Sequence, residues 1–366
     1  MIEKIMSNRL DRRFFRYQEE YEKQALEVLR SGFYILGKEV KNFEDEFASY
    51  IGAKYCVGLA SGLDALWITF NALGIGAGDE VIIQANAYIA CVMGITINGA
   101  TPIFVEPDEY YNLDASKIEE KITEKTKAIL VVHLYGQASN MSSIVDIAKR
   151  HSLVIVEDCA QSHGAKWDGK MTGTFGTVGC YSFYPSKNLG AFGDGGAIVT
   201  NCERIEKRIR IFRNYGSEKK YSNCVVGANS RLDEIQAGLL RVGLRHLDEI
   251  NVERNRVCKR YLDGIVNEKI VLPQIRKKAT TVWHQFVIRC KDRNKLRKFL
   301  EDNGIQTDIH YPIPPYLQEA YKELNCKAGD YPIAEKYANE MLSLPLYTEM
   351  KEEEIDKIIN TINMFS

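Results

Sequence analysis

From about Tyr50 to Asn201, short uninterrupted apolar runs alternate with stretches whose apolar residues recur at helical spacing. Six runs, at 80–84 (EVIIQ), 101–106 (TPIFVE), 127–135 (KAILVVHLY), 152–158 (SLVIVED), 179–184 (GCYSFY) and 196–201 (GAIVTN), read as strands covered on both faces. Between them, 64–73, 116–122 and 141–150 read as helices. That alternation predicts a mostly parallel sheet sandwiched by helices, with ligands bound beyond the carboxyl ends of the strands.

The flanks are helical. Residues 18–29 form a helical pattern that stops at Ser31-Gly32, a good C-terminal signal, and Val40, Phe43, Phe47 and Tyr50 then repeat near the helical period. Residues 230–247, and on to Tyr261, read as one long helix. A smaller unit follows, with a strand at 282–289, a helix at 293–303 and an extended segment at 305–310. The expected division is a large unit over 18–245 and a small one over 246–366, with 1–17 packing alongside. The charge-free stretch 81–105 has the length of a membrane helix, but Gln84, Asn86, Gly94, Asn98, Gly99 and Pro102 punctuate it. It is expected to form a strand, a short helix and a second strand.

Composition narrows the function classes. The chain's 366 residues, 45% hydrophobic and 27% charged, can build a substantial core. Lysine plus arginine total 48 against 49 acidic residues, so no global positive field exists to hold a nucleic acid. The nine cysteines (56, 91, 159, 180, 202, 224, 258, 290 and 326) lie singly, with no C-x-x-C pair. This pattern suits buried thiols in a reducing compartment rather than a metal site or a disulfide scaffold. The N-terminal residues reach charge before any apolar run could act as a leader, so the expected location is the cytosol and no membrane contact is expected.

Candidate chemistry sits at the strand ends. Asp158 closes the run 152–158, and Lys187 follows a later strand through a proline-containing turn, Ser182-Phe183-Tyr184-Pro185-Ser186-Lys187. An amine desolvated in a cleft beside a cationic ring suits Schiff-base chemistry. Taken singly, each residue also fits a surface lysine or a helix-capping aspartate. Ser61-Gly62-Leu63 leads from a short strand into a helix, so the free N–H groups of Gly62 and Leu63 can face an anion. The segment is neither a P-loop nor a G-x-G-x-x-G fingerprint.

Together the segments 31–44 (SGFYILGKEVKNFE), 61–66 (SGLDAL), 156–165 (VEDCAQSHGA), 181–198 (YSFYPSKNLGAFGDGGAI), 213–217 (RNYGS) and 229–238 (NSRLDEIQAG) resemble the DegT/DnrJ/StrS family of pyridoxal-phosphate-dependent sugar aminotransferases. The resemblance covers nearly the whole chain. It implies an α/β, aspartate-aminotransferase-like fold (a fold type I enzyme): a large domain with a mostly parallel, seven-stranded-type sheet and a smaller α/β C-terminal domain. It also implies pyridoxal 5'-phosphate as cofactor and no metal. Lys187 would bind the cofactor's aldehyde and shuttle the proton, and Asp158 would hold its ring nitrogen. Tyr88 would stack on the ring, and Gln161 would reach its other face or its hydroxyl. Phosphate contacts would come from Gly62, Leu63 and Ser182, with Asn229 supplied by the neighbouring subunit of a homodimer with shared active sites.

The substrate class implied is a nucleotide-linked keto sugar, with glutamate as amino donor. The segment 308–318 (DIHYPIPPYLQ) looks most like that of enzymes aminating carbon 3 of a dTDP-linked 3-keto-6-deoxyhexose. His310 and Tyr311 would border the sugar, with Tyr184 close to Lys187. Tyr34, Lys219, Tyr221 and Arg231 would contact substrate or its diphosphate, while His163 has no settled role. The alternatives are a 4-keto sugar aminotransferase, a sugar dehydratase using the same cofactor (its relatives lack the lysine), an amino-acid transaminase and a non-catalytic regulatory homologue.

Overall fold

A computed structural model describes residues 4–366. Residues 1–3, part of the segment expected to pack alongside the large unit, lie outside the described residues. Helices α1 (Leu10–Arg16), α2 (Gln18–Ser31) and α3 (Lys38–Ile51) lead into β1 (Tyr55–Leu59) and α4 (Gly62–Leu73). Then come β2 (Glu80–Gln84), α5 (Ile89–Thr96), β3 (Thr101–Val105), β4 (Thr126–Val132), α6 (Met141–Arg150) and β5 (Val154–Asp158). A small hairpin, β6 (Lys166–Trp167) and β7 (Lys170–Met171), precedes β8 (Val178–Ser182) and β9 (Gly196–Thr200). These strands, the small hairpin apart, form a seven-stranded sheet in the order β1-β9-β8-β5-β4-β2-β3. β9 is antiparallel to both its neighbours, and the remaining pairs are parallel.

Alternation along each strand divides the core. Val81, Ile83, Leu130 and Val132 face a cluster with α4, α5 and Ile205 and Ile209 of α7 (Glu203–Phe212). Ile82, Ile129 and Val131 face the opposite layer, against Met141, Ile144 and Ile147 of α6. A period of two therefore buries both faces, which is why these strands lack the polar alternation of a half-exposed sheet. The charge-free stretch resolves into β2, α5 and β3, and among the described residues no helix is long and apolar enough to cross a membrane.

Beyond the small hairpin β10 (Ser217–Lys219) and β11 (Ser222–Asn223), α8 (Glu234–Arg245) and α9 (Leu247–Gly264) lead to a second core. It packs α9 against α10 (Arg293–Asp302), α12 (Glu352–Met364) and the antiparallel pair β12 (Phe286–Arg289) and β13 (Met341–Leu344). α11 (Pro332–Glu340) packs instead on the first core through Ala334 and Tyr337.

Several elements depart from the sequence expectations, each for a local reason. The helix expected at 116–122 is two 3-10 turns, Ala115–Lys117 and Glu119–Lys121. Asp114 caps Ser116, and within the stretch 115–121 Ile118 alone is fully buried, too little apolar surface to extend a helix. The long helix expected from 230 begins only at Glu234, because bridges to Asn214 and Ile35 hold Asn229 and Asp233 extended, and it breaks at His246. His246 itself stacks on Tyr17 and bonds Glu20. The strand expected at 282–289 starts only at Phe286: Trp283 has φ +48°, and the N–H groups of Val282 and His284 reach Gly136 and Tyr135 instead. Two strands end early, at Val132 and Ser182, where the chain turns into the site.

The outer edge of β1 is closed by side chains. Glu44 of α3 accepts from Gly58 N–H (2.8 Å), Arg213 (2.6 Å) and Arg210 (2.7 Å). The same arginines donate to the carbonyls of Gly58 (2.7 Å) and Cys56 (2.9 Å). Removing the buried carboxylate strands the buried Arg213 guanidinium, while Arg210 keeps Glu206 as its partner. Glu44→Ala is therefore expected to cost roughly 3–5 kcal/mol, measured by denaturant unfolding; a loss below about 1 kcal/mol would show that the Gly58 carbonyl alone satisfies Arg213.

Candidate active site

All the parallel strands, and the turn into β9, deliver their ends to one edge of the sheet. β1 feeds directly into the first turn of α4. Ser61 caps that helix, its Oγ accepting from Asp64 N–H (3.1 Å), while the Asp64 carboxylate accepts from Ser230 (2.6 Å) and Trp67 (2.8 Å). The N–H groups of Gly62 and Leu63 have no helical partner and form a ready anion site. Only glycine fits at 62: a Cβ there would lie 2.5 Å from Cβ of Ser182. This contact sets the helix end against the end of β8.

Asp158 ends β5 and is 5% exposed. Its Oδ1 accepts from Ala160 N–H and its Oδ2 from the Cys91 thiol, both at 3.0 Å. Burial and the neighbouring carboxylate hold that thiol well above its ordinary pKa, so it stays protonated and donates. Glu157, one residue earlier, points to the other face. Its two oxygens accept from Gly173, Phe175 and Gly176 N–H (2.7 Å each) and meet His133 Nε2 at 3.0 Å. The buried trio His133, Glu157 and Cys159 has metal-ligand composition, but these bonds use the lone pairs of the carboxylate and tie down the 173–176 loop.

Lys187 follows β8 on a turn closed by its own N–H to Tyr184 (2.8 Å) and by Ala191 N–H to Phe183 (2.8 Å). Burial pushes its amine down to about 8, against the opposing pull of the Asp158 carboxylate. Asn188 straps the turn to the second core, its amide donating to Asn251 Oδ1 and Val282 O (both 2.8 Å). Since its NH₂ is used there, its Oδ1 must accept from His284 Nδ1 (3.3 Å), which leaves His284 Nε2 an acceptor. Burial and Lys187 hold that imidazole neutral.

Asp158, Lys187 and His284 line a cavity of about 560 Å³, together with Gly62, Leu63, Tyr88, Gln161, Ser182, Tyr184, His310 and Tyr311. The second core supplies one wall. The Tyr88 and Tyr311 rings pack in a tilted arrangement, centroids 4.8 Å apart and planes at 31°. Gln161 joins two distant segments, accepting from Tyr135 N–H (2.6 Å) and donating to Tyr311 Oη (3.2 Å). His310 meets Ser343 through Nδ1 (2.8 Å), and its carbonyl accepts from Tyr135 Oη.

Other expected residues lie away from this cavity. Asn229 is exposed and donates to Tyr215 Oη (2.9 Å), while Arg231 bonds Asn214 (3.0 Å) and lies over the Tyr215 ring. Tyr34 bonds the Leu29 carbonyl (3.1 Å), Lys219 is exposed on β10, and Tyr221 is 90% exposed. His163 is wholly buried against Tyr181 and Phe183, held neutral near 3 by burial and Lys187. Cys91, Asp194, His284 and Gln285 line the cavity without having been singled out in the sequence. Cys91 had a signal, since it stands three residues after Tyr88 at the start of a helix. His284 and Gln285 had none.

A family model described as the DegT/DnrJ/EryC1/StrS aminotransferase family matches residues 16–363. The chain is 50% identical over 351 residues, 96% of both chains, to a dTDP-3-amino-3,6-dideoxy-alpha-D-galactopyranose transaminase of Aneurinibacillus thermoaerophilus. The crystal structure of Streptomyces venezuelae DesV superposes with a TM-score of 0.97 at 42% identity, covering 99% of this chain and 98% of that one. The Bacillus subtilis NtdA structure, which contains bound pyridoxamine phosphate, superposes with a TM-score of 0.86 at 33% identity, over 94% and 80% of the two chains. With its strand order, an amine and a carboxylate on one cavity and a free helix end all in place, the chain belongs to the DegT/DnrJ/EryC1/StrS aminotransferase family.

Proposed function

We propose that the protein transfers an amino group from glutamate to carbon 3 of a dTDP-linked 3-keto-6-deoxyhexose, using pyridoxal 5'-phosphate. The observation that carries this reading is the convergence of Lys187, Asp158 and the free N-terminus of α4 on one cavity. The 50% identity to a transaminase of that sugar class supports the choice of substrate. Amine, carboxylate and anion site match the aldehyde, ring nitrogen and phosphate of the cofactor, and the absence of a Cβ at Gly62 lets the helix end sit against Ser182, beside its hydroxyl.

When bound, the cofactor supplies the electron sink and the amino-group carrier. Gly62 and Leu63 N–H and the Ser182 hydroxyl hold its phosphate. Asp158, fixed by Ala160 and Cys91, keeps a proton on its ring nitrogen. Lys187 Nζ anchors it, then takes and returns the proton at the substrate carbon. An amine near pKa 8 is suited to both directions. Tyr88 covers the ring, Gln161 faces it, and Tyr184, His310 and Tyr311 border the sugar. The outward residues Tyr34, Lys219, Tyr221, Asn229 and Arg231 complete the neighbour's cavity in a two-fold dimer, the cations meeting the diphosphate. Exposed Phe33, Tyr34, Ile35 and Tyr215 supply apolar surface for such a contact. A dehydratase reading is disfavoured by Lys187.

Lys187→Ala is expected to lose the visible absorption of the loaded protein and at least about 10³-fold in turnover; full turnover in this variant would end the proposal. In the cofactor-free protein, labelling of Lys187 by an amine reagent should rise through about pH 8, because only the neutral form reacts; a midpoint near the ordinary lysine value would contradict the buried amine. Gly62→Ala should weaken cofactor binding by about tenfold or more, read by absorbance titration. Incubation with dTDP-3-keto and dTDP-4-keto sugars, with the new C–N bond placed by NMR, should show amination at carbon 3; nitrogen at carbon 4 would move the assignment to the 4-keto class.

A further inference from the structure

The turn that carries Lys187 is held from behind by an arginine of α1. Arg13 is 8% exposed, yet no carboxylate lies within ion-pair distance of it among the described residues. Its Nη1 donates to the Lys187 carbonyl (3.1 Å), and its Nη2 to those of Pro185 (3.1 Å) and Gly190 (3.3 Å). No other donor among the described residues reaches these carbonyls. A buried cation without a counter-ion is costly unless its donors are used, and here both terminal nitrogens are spent on a single turn while Nε is left without a partner. Gly190 is shaped to this contact: a Cβ there would lie 2.4 Å from the Pro185 carbonyl oxygen and 3.0 Å from Arg13 Nη2.

The neighbouring arginines of α1 do something else. Arg12 forks onto Glu354 (2.7 Å twice) and donates to the Glu349 carbonyl (2.6 Å). Arg16 pairs with Glu253 (2.7 Å) and Glu349 (2.6 Å). Arg12 and Arg16 thus dock the helix on the second core, and Arg13, turned about 100° from Arg12, reaches under the turn.

We propose that Arg13 is a positioning residue for the reactive amine: by holding the Pro185, Lys187 and Gly190 carbonyls on the side away from the cavity, its planar fork fixes the Lys187 peptide so that the side chain points at Asp158. The inference rests on Lys187 being the cofactor-binding amine. Freed of this clasp, the turn can rotate its peptides, and a lysine misplaced by about 1 Å is expected to react slowly. Lysine at position 13 is a point donor and can serve only part of the set.

The test compares Arg13→Met, Arg13→Gln, Arg13→Lys and Arg12→Met with the full-length parent. Cofactor-free protein is mixed with pyridoxal phosphate, the growth of the visible band is timed, and kcat and KM for the nucleotide sugar follow. Arg13→Met and Arg13→Gln should load about tenfold more slowly and lose about tenfold in kcat, with KM within about twofold. Arg13→Lys should recover part of both. Arg12→Met should lower the melting temperature while loading at the parent rate. Parent-like loading in whichever of Arg13→Met and Arg13→Gln folds, or equal slowing in Arg12→Met, would overturn the inference. Lys187→Ala is run alongside: if it still forms the visible band, the reading of Lys187 falls; if it does not, and the Arg13 variants load normally, only the role of Arg13 falls.

Discussion

An amine and a carboxylate face one cavity in which burial and charge pull against each other. Burial drives the Lys187 amine toward neutrality, Asp158 draws it toward the cation, and the balance rests at about 8. That balance requires both groups to stay where the backbone puts them. Asp158 is anchored by the β5 terminus, by Ala160 and by a thiol that burial keeps protonated. Lys187 depends on a turn with few backbone bonds of its own, so side chains from distant parts of the chain, Arg13 and Asn188, supply what the turn lacks.

The two cores divide the work. The sheet provides precise strand ends, because each of its strands is covered on both faces and cannot slip without exposing apolar side chains. The second core provides the opposite wall through His284, Gln285, His310 and Tyr311. Its departures from regular structure, such as the late start of β12 at Phe286, are what place His284 beside Asn188. A regular strand from Val282 onward would point its N–H groups elsewhere.

Much of this was legible in the sequence where one local signal was enough. Continuous apolar runs marked β2, β3, β4, β5, β8 and β9, and the order of the motifs brought Gly62, Asp158 and Lys187 to one sheet edge. What was illegible depended on distant partners. Nothing near His246 announces a helix break, since its partners there are distant in the chain: Tyr17, between α1 and α2, and Glu20 of α2. The orphan carbonyls behind Lys187 are invisible to any periodicity, so Arg13 read only as part of a charged N-terminal segment. Exposure of Tyr34, Lys219 and Tyr221 is likewise a tertiary outcome, because residue type alone does not say which cavity, if any, a loop reaches.

The carboxylate and two guanidinium groups along β1 also bear on how copies of this protein can meet. An edge strand with free N–H and C=O groups is a template on which another chain can add a strand. Here the N–H and C=O of Gly58 and the C=O of Cys56 are already occupied by Glu44, Arg213 and Arg210. The sheet is thereby terminated at that margin, and recruitment of a further polypeptide by backbone pairing would first have to displace a charged plug.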